Sequence, residues 1–257
     1  MAAVTLDLWH TLLYLSPEKE ERYMARQLAL GREVLRESPR LPGAPDLSDA
    51  ELGSAFERAY VGAVRASLEG STITPAEQIL EAAAETGRAV DPQMYLSRLK
   101  AEVEATEFHR APGAIELLSE LHENGYHLGL VSNTVGEPGA LFRPILAAMG
   151  FDPYLETIVF SDEHPWTKPA PEIFELALGN LHATPTEAVH VGDGWSDLEG
   201  ARRTGYRGSV LFTGLHSYGP RYRELFLLGE PDDLPAGLRT DRLADVAPFV
   251  RKLLPLD

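Results

Sequence analysis

Residues 188–205 read AVHVGDGWSDLEGARRTG. A short apolar run gives a strand, Gly192-Asp193-Gly194 gives an acidic turn, and the residues from there to Gly205 give a helix. Outward from this unit, the same alternation recurs. Upstream, a helix over Ala114–Asn124 leads to the strand HLGLV (127–131), which ends on Ser132-Asn133-Thr134. A helix over Pro138–Met149 precedes the strand TIVF (157–160), and TKPAPEIFELAL (167–178) is a loop running into a helix. Downstream come the strand GSVLF (208–212), a stretch over 216–237 reading as loop, helix and acidic turn, and a last short strand before the helix LADVAPFVRKLL (243–254). At the other end of the chain, the apolar run Ala2–Leu6 stops on Asp7. Strands alternating with helices predict an α/β fold, a Rossmann-like parallel sheet with right-handed crossovers.

One segment breaks the alternation. Between Tyr14 and Phe108 the pattern is helical throughout. Ser16-Pro17 opens a helix whose face carries Met24, Leu28, Gly31 and Leu35. After a break at LPGAP (41–45), Ser48 and Glu51 form a capping box before Leu52, Phe56, Tyr60, Val64 and Leu68. Thr74-Pro75 and Asp91-Pro92 start two more helices. The expected organisation is a core domain over 1–14 and 109–257, with an all-helical domain over 15–108 inserted after the first strand.

Composition narrows the function. The 257 residues carry 39 acids against 23 Lys and Arg, a formal charge of −16, with no basic stripe. Such a field repels nucleic acid. There is no cysteine, which excludes disulfides, thiolate catalysis and Cys–zinc sites. No apolar run reaches the length of a membrane span, and the first strand, interrupted by Asp7 and His10, does not read as a signal peptide. A cytoplasmic protein acting on a small molecule is the expectation. The sequence leaves its oligomeric state open.

In open α/β sheets the site lies at the carboxyl ends of the strands. Asp7, Ser132, Asn133, Asp193 and Asp197 fall at such ends or a turn beyond, and Lys168 stands just before a helix. Taken singly, each has an ordinary structural reading as a cap, a turn or a solvated charge. Together they suit phosphoryl transfer through a carboxylate. Gathered acids call for a divalent cation, and an all-oxygen donor set favours Mg²⁺. A lysine and a hydroxyl would then hold the transferring oxygens.

These motifs, in this order, resemble the haloacid dehalogenase (HAD) superfamily over nearly the whole chain. The first motif, DxDGT in the family, stands here as Asp7-Leu8-Trp9-His10-Thr11; the second is Ser132 in LVSNT; the third is Lys168 in TKPAPEIF; the fourth is GDGWSD, 192–197. The helical insert resembles the family's α-helical cap of the first type. The resemblance implies that Asp7 is the nucleophile and a Mg²⁺ ligand. It implies further ligands in the backbone carbonyl of Trp9, in Asp193 and in Asp197. Ser132, with Asn133, would bind the phosphoryl group, Lys168 would neutralise it together with Asp7, and Thr11 would brace the turn. His216, Tyr218 and Arg221, after a strand end, are candidates to reach substrate.

Two residues depart from the phosphatase pattern. A second Asp, the general acid and base, is usual where Trp9 stands, and a Gly is usual where His10 stands. Dehalogenases of the superfamily also carry an aromatic at the first of these positions, but they work without Mg²⁺ and typically lose the first acid of the fourth motif. This chain keeps Asp193 and Asp197. The expectation is therefore a Mg²⁺-dependent phosphatase acting on a small phosphorylated metabolite through an aspartyl-phosphate. The alternatives are a metal-independent 2-haloacid dehalogenase, or a catalytically weakened scaffold used for binding.

Overall fold

The computed structural model describes residues 1–215 and 236–256. Six strands form one parallel sheet: β1 (Ala3–Leu6), β4 (His127–Ser132), β5 (Thr157–Phe160), β6 (Ala188–Gly192), β7 (Gly208–Phe212) and β8 (Leu238–Thr240). Their spatial order is β5-β4-β1-β6-β7-β8. The order turns back on itself at β1, with β4 on one side and β6 on the other, so the central crevice opens beside Asp7.

Period-two alternation assigns each side chain to a face. Val4, Leu6, Leu128, Leu130, Val189 and Val191 point into the larger apolar core, which α5 (Ala114–Glu123) and the final helix, Val246–Leu253, cover. Val131 and Val159 face the other way, onto α7 (Pro171–Asn180). That face also holds α8 (Trp195–Thr204), packed beside α7. Each such buried aliphatic side chain contributes on the order of 1.5–3 kcal/mol.

Four helices lie between β2 (Leu13–Tyr14) and β3 (His109–Arg110), a two-stranded antiparallel ribbon. They are α1 (Pro17–Glu37), α2 (Asp49–Leu68), α3 (Pro75–Thr86) and α4 (Pro92–Ala105). Their starts follow from local chemistry. Ser48 with Glu51, and Thr74 with Glu77, close reciprocal capping boxes, and Ser16 and Asp91 accept from the first turns of α1 and α4. The four helices share their own apolar centre, including Leu35, Phe56, Ile79, Tyr95 and Leu99.

Two details differ from expectation. The helix expected over 138–149 is a 3₁₀ turn, Gly139–Phe142, continuing into a short α6, Arg143–Ala148. The β2–β3 ribbon has no counterpart in the sequence reading, because two-residue strands carry no periodicity. Most of the stretch read over 216–237, with His216, Tyr218 and Arg221, lies outside the described residues.

Candidate active site

Asp7 leaves β1 with its N–H donated to the Val191 carbonyl at 2.9 Å, so the sheet ladder itself fixes the turn that presents it. The Lys168 ammonium bridges two carboxylates, donating to Asp7 Oδ1 at 2.5 Å and to Asp197 Oδ1 at 2.6 Å. All three side chains are buried. Asp193 joins them: ligand oxygens of Asp7, Asp193 and Asp197 lie within 4.8 Å of one another. Asp197 reaches the cluster by folding back under the end of β6, where its Oδ2 accepts from the Gly194 N–H at 3.1 Å. A Cβ on Gly192 would lie 2.2 Å from the Asp197 carboxyl carbon, so only glycine fits there.

Lys168 is held from behind. The Asn133 side-chain amide accepts from the Lys168 N–H at 2.8 Å and donates to the Lys168 carbonyl at 3.0 Å. Asn133, read from sequence as a substrate contact, thus has both ends of its side-chain amide bonded to the Lys168 backbone. Ser132 is fully buried at the end of β4, its hydroxyl 3.4 Å from the Asn133 carbonyl oxygen.

Beneath the acids runs a chain the sequence reading did not single out. His190 Nε2 lies 3.0 Å from Asp197 Oδ1, and its Nδ1 lies 2.8 Å from Thr5 Oγ1. The Tyr206 hydroxyl sits 3.1 Å from the same Thr5 oxygen. Burial holds His190 below its ordinary pKa, so it is neutral. Its Nε2–H is then the donor to Asp197, because that carboxylate is ionised. The signal in the sequence was a lone polar ring in an otherwise apolar strand, AVHV. Thr5 and His190 are register partners and share the α7–α8 face.

The electrostatics are those of a site short of positive charge. Burial is the largest influence on Asp7 and raises its pKa well above the carboxylate range; repulsion from Asp197 and Asp193 adds, and Lys168 only partly offsets it. Asp197 is equally buried but is held low by Lys168 and His190. Lys168 stays charged despite burial because two carboxylates face it. Three acids against one lysine, all with hard oxygen donors, fit a divalent cation.

Around this centre, the Trp9 ring packs on Phe142 at 5.4 Å, Phe108 at 5.7 Å and Tyr23 at 6.4 Å between centroids. His10 adopts φ 56°, the left-handed region that explains why glycine is usual there. Its Nε2 lies 2.8 Å from Glu20 Oε1 of α1, both buried. Thr11 is fully buried in the turn. Trp195 is 41% exposed, with the Arg203 guanidinium over its ring, so it is not a core residue.

The family model for haloacid dehalogenase-like hydrolases matches residues 1–205. The chain belongs to this family. Among curated proteins it is 33% identical over 135 residues to the phosphoglycolate phosphatase of Pectobacterium atrosepticum, covering 52% of each chain. It spans about half the length of the curated relatives it matches. Among solved structures it is similar to a HAD phosphatase from Thermococcus onnurineus, with TM-score 0.62, 21% identity and coverage of 99% and 98% of the two chains. It is also similar to a dehalogenase solved with an intermediate complex, with TM-score 0.58, 20% identity and 96% of both chains. At such identities the likeness concerns the fold, and that fold serves both chemistries. Among the described residues, no helix is long and apolar enough to cross a membrane.

Proposed function

We propose that this HAD hydrolase is a Mg²⁺-dependent phosphatase of small phosphorylated metabolites, working through an aspartyl-phosphate. The observation that carries the reading is the gathering of Asp7, Asp193 and Asp197 within 4.8 Å around one lysine. An attack on carbon needs one carboxylate and no such concentration of acid. Asp7 attacks phosphorus, the ester P–O bond breaks, and its electron pair leaves with the alcohol oxygen. Water then hydrolyses the aspartyl-phosphate, releasing phosphate and restoring the carboxylate. Lys168 balances charge on Asp7 and on the phosphoryl oxygens, Ser132 binds a phosphoryl oxygen, and Asn133 positions Lys168. Asp7, Asp193, Asp197 and the Trp9 carbonyl would hold Mg²⁺, which supplies the positive charge that lets a carboxylate approach a phosphate. The helical unit over 15–108 serves as the cap over this site. The cytoplasm is the proposed compartment.

Phosphate release and halide release, each measured with Mg²⁺ and with EDTA, test the reading. Mg²⁺-dependent phosphate release is expected. Metal-independent halide release would instead establish the dehalogenase, a reading that the aromatic Trp9 favours. Neither signal across a broad panel would leave the binding scaffold.

Metal binding has its own readout. Millimolar Mg²⁺ should raise the melting temperature by linkage, and Asp193→Ala should abolish the shift. An unshifted wild-type melt would contradict the metal site.

His190 is proposed as a positioning residue for Asp197. His190→Phe should weaken Mg²⁺ binding about 10–100-fold, the usual cost of losing an outer partner of a ligand. His190→Gln, whose amide can still donate to Asp197, should retain more of it. Equal loss in both variants would reduce His190 to a packing role.

A further inference from the structure

The helical insert reaches the loops that carry the first three motifs. Glu20 of α1 meets His10 at 2.8 Å, just beyond Asp7. In the loop after Ser132, Gln27 Nε2 donates to Glu137 Oε2 at 2.6 Å and Gln78 Nε2 to the Val135 carbonyl at 2.7 Å. The third loop, between β5 and α7, carries Lys168. It leaves the edge strand of the sheet, so on the sheet side it has one neighbour where the central loops have two. The insert supplies another.

That neighbour is the turn at the end of α2. The helix stops in a Schellman motif: the Ser71 N–H donates to the Ala66 carbonyl at 2.9 Å and the Gly70 N–H to the Ser67 carbonyl at 3.0 Å, with Gly70 at φ 91°. The chain then runs antiparallel to the lysine loop, with Ser71 bridged to Trp166. The Thr167 N–H donates to the Gly70 carbonyl at 3.1 Å, and the Thr72 N–H to the Pro165 carbonyl at 3.4 Å. The Thr72 hydroxyl donates to the Ser161 carbonyl at 3.0 Å. Ser67 Oγ, on a buried residue, lies 3.4 Å from Thr167 Oγ1 and accepts from Asn133 Nδ2 at 3.4 Å. The approach is closest at Gly70, where a Cβ would lie 3.1 Å from Ala170 Cβ.

These contacts surround the residue on which the charge balance of the site depends. A lysine carries its charge at the end of a flexible four-carbon stem, so the reach of Lys168 Nζ to Asp7 and Asp197 is set by where its backbone sits. Two adjacent N–H groups fix that backbone, and they are held by different parts of the chain. The Lys168 N–H goes to Asn133 of the core, and the Thr167 N–H goes to Gly70 of the insert. Asn133 in turn meets the insert through Ser67. We propose that the end of α2, Ser67 with Gly70 and Thr72, is a positioning element for Lys168, so that the lysine is set by the insert as well as by the core. The proposal rests on the phosphatase reading above, in which Lys168 balances charge on Asp7 and on the phosphoryl group. Its consequence is a coupling: the lysine has its full effect only while the insert is seated on the core. Phosphoryl transfer is sensitive to such coupling, because its catalysis is largely a matter of placement and charge.

Two glycine substitutions separate positioning from strain. Gly70→Ala and Gly43→Ala each put a methyl group on a left-handed residue of the insert, at φ 91° and 80°. The methyl of Gly43→Ala meets nothing within 4 Å, whereas that of Gly70→Ala presses on Ala170, two residues after Lys168. Both variants should melt below the wild type, because both carry the same backbone strain. Their kinetics should differ. With p-nitrophenyl phosphate and Mg²⁺, assayed well below either melting temperature, Gly70→Ala should lower kcat by about tenfold, the expected cost of a small displacement of a catalytic group. Gly43→Ala should keep the wild-type kcat. In Gly70→Ala, KM should move less than kcat, since the lysine acts on charge that redistributes in the transition state. Thr72→Val loses the bond to Ser161 and should lower kcat by about threefold, the weight of one hydrogen bond. Thr72→Ser keeps the hydroxyl and should restore it. The Thr72 pair decides the matter if Gly70→Ala does not fold. Equal kcat within the glycine pair, or within the Thr72 pair where Gly70→Ala does not fold, overturns the positioning role while leaving the phosphatase intact. Absence of Mg²⁺-dependent p-nitrophenyl phosphate hydrolysis in the wild type overturns the phosphatase and this proposal with it.

Discussion

Asp7→Asn is expected to abolish phosphatase turnover, by roughly 10⁴-fold or more, while leaving a folded and more heat-stable protein. The loss follows from the proposed role of Asp7 as the nucleophile: an amide forms no acyl phosphate at a useful rate. The gain in stability follows from the electrostatics. In the metal-free protein, burial and the neighbouring acids raise the Asp7 pKa well above its unfolded value. The folded state therefore binds a proton more tightly than the unfolded chain, and its stability falls as pH rises from about 4 toward that raised value. Asparagine does not titrate, so the penalty disappears. Lys168 is not stranded by the change, because Asp197 Oδ1 remains 2.6 Å away. The variant should thus melt above the wild type at neutral pH without Mg²⁺, and the gap should close toward pH 4. Added Mg²⁺ should narrow it as well, since the cation relieves the same repulsion in the wild type. Retention of more than a small fraction of wild-type turnover would rule out the aspartyl-phosphate.

The elements that carry this chemistry were legible because they are set by local pattern. A short apolar run ending on an acid, as at Leu6-Asp7 or Gly192-Asp193, declares a strand and its carboxyl end together. Capping chemistry at Ser48 and Thr74 placed two helix starts of the insert. What escaped the sequence depends on contacts between distant segments. Thr5 and His190 are 185 positions apart and meet because β1 and β6 are register partners. Glu137 read as one loop acid among many; only the docking of Gln27 across it makes it a buried carboxyl. Asn133 was legible as a site residue because it follows Ser132; that both ends of its amide meet the backbone of Lys168, 35 positions on, was not. Pattern reports which way a residue faces along its own element, and it is silent on the partner brought by another.

The preference between substrates should carry the signature of Trp9. An alkoxide leaving group must gain a proton as it departs, and a positioned acid contributes ~10²–10⁴-fold to that step. Indole cannot supply it. The next residue is engaged elsewhere: His10 Nε2 lies 2.8 Å from Glu20 Oε1 in the helical insert. Aryl phosphates, acyl phosphates and phosphoanhydrides release stable anions unaided. The wild type should therefore favour an aryl over an alkyl phosphate in kcat/KM by about 10²-fold or more. Hydrolysis of the aspartyl-phosphate also lacks a base at Trp9, so dephosphorylation should limit turnover on the best substrates, visible as a burst of leaving group in rapid mixing. Trp9→Asp should narrow the aryl-to-alkyl gap, but at a cost in stability. The indole is the hub of contacts with Phe108, Phe142 and Tyr23, and an ionised carboxylate in that setting would lose the packing and meet Asp7 as well. The variant should be assayed well below its lowered melting temperature, and the ratio of the two substrates compared, since the folded fraction cancels from it. Equal efficiency on aryl and alkyl esters in the wild type would show that another group delivers the proton. His10→Gln and Glu20→Gln would then test the His10–Glu20 pair as that source: removing the donor should restore the missing gap, with alkyl esters slowed far more than aryl ones.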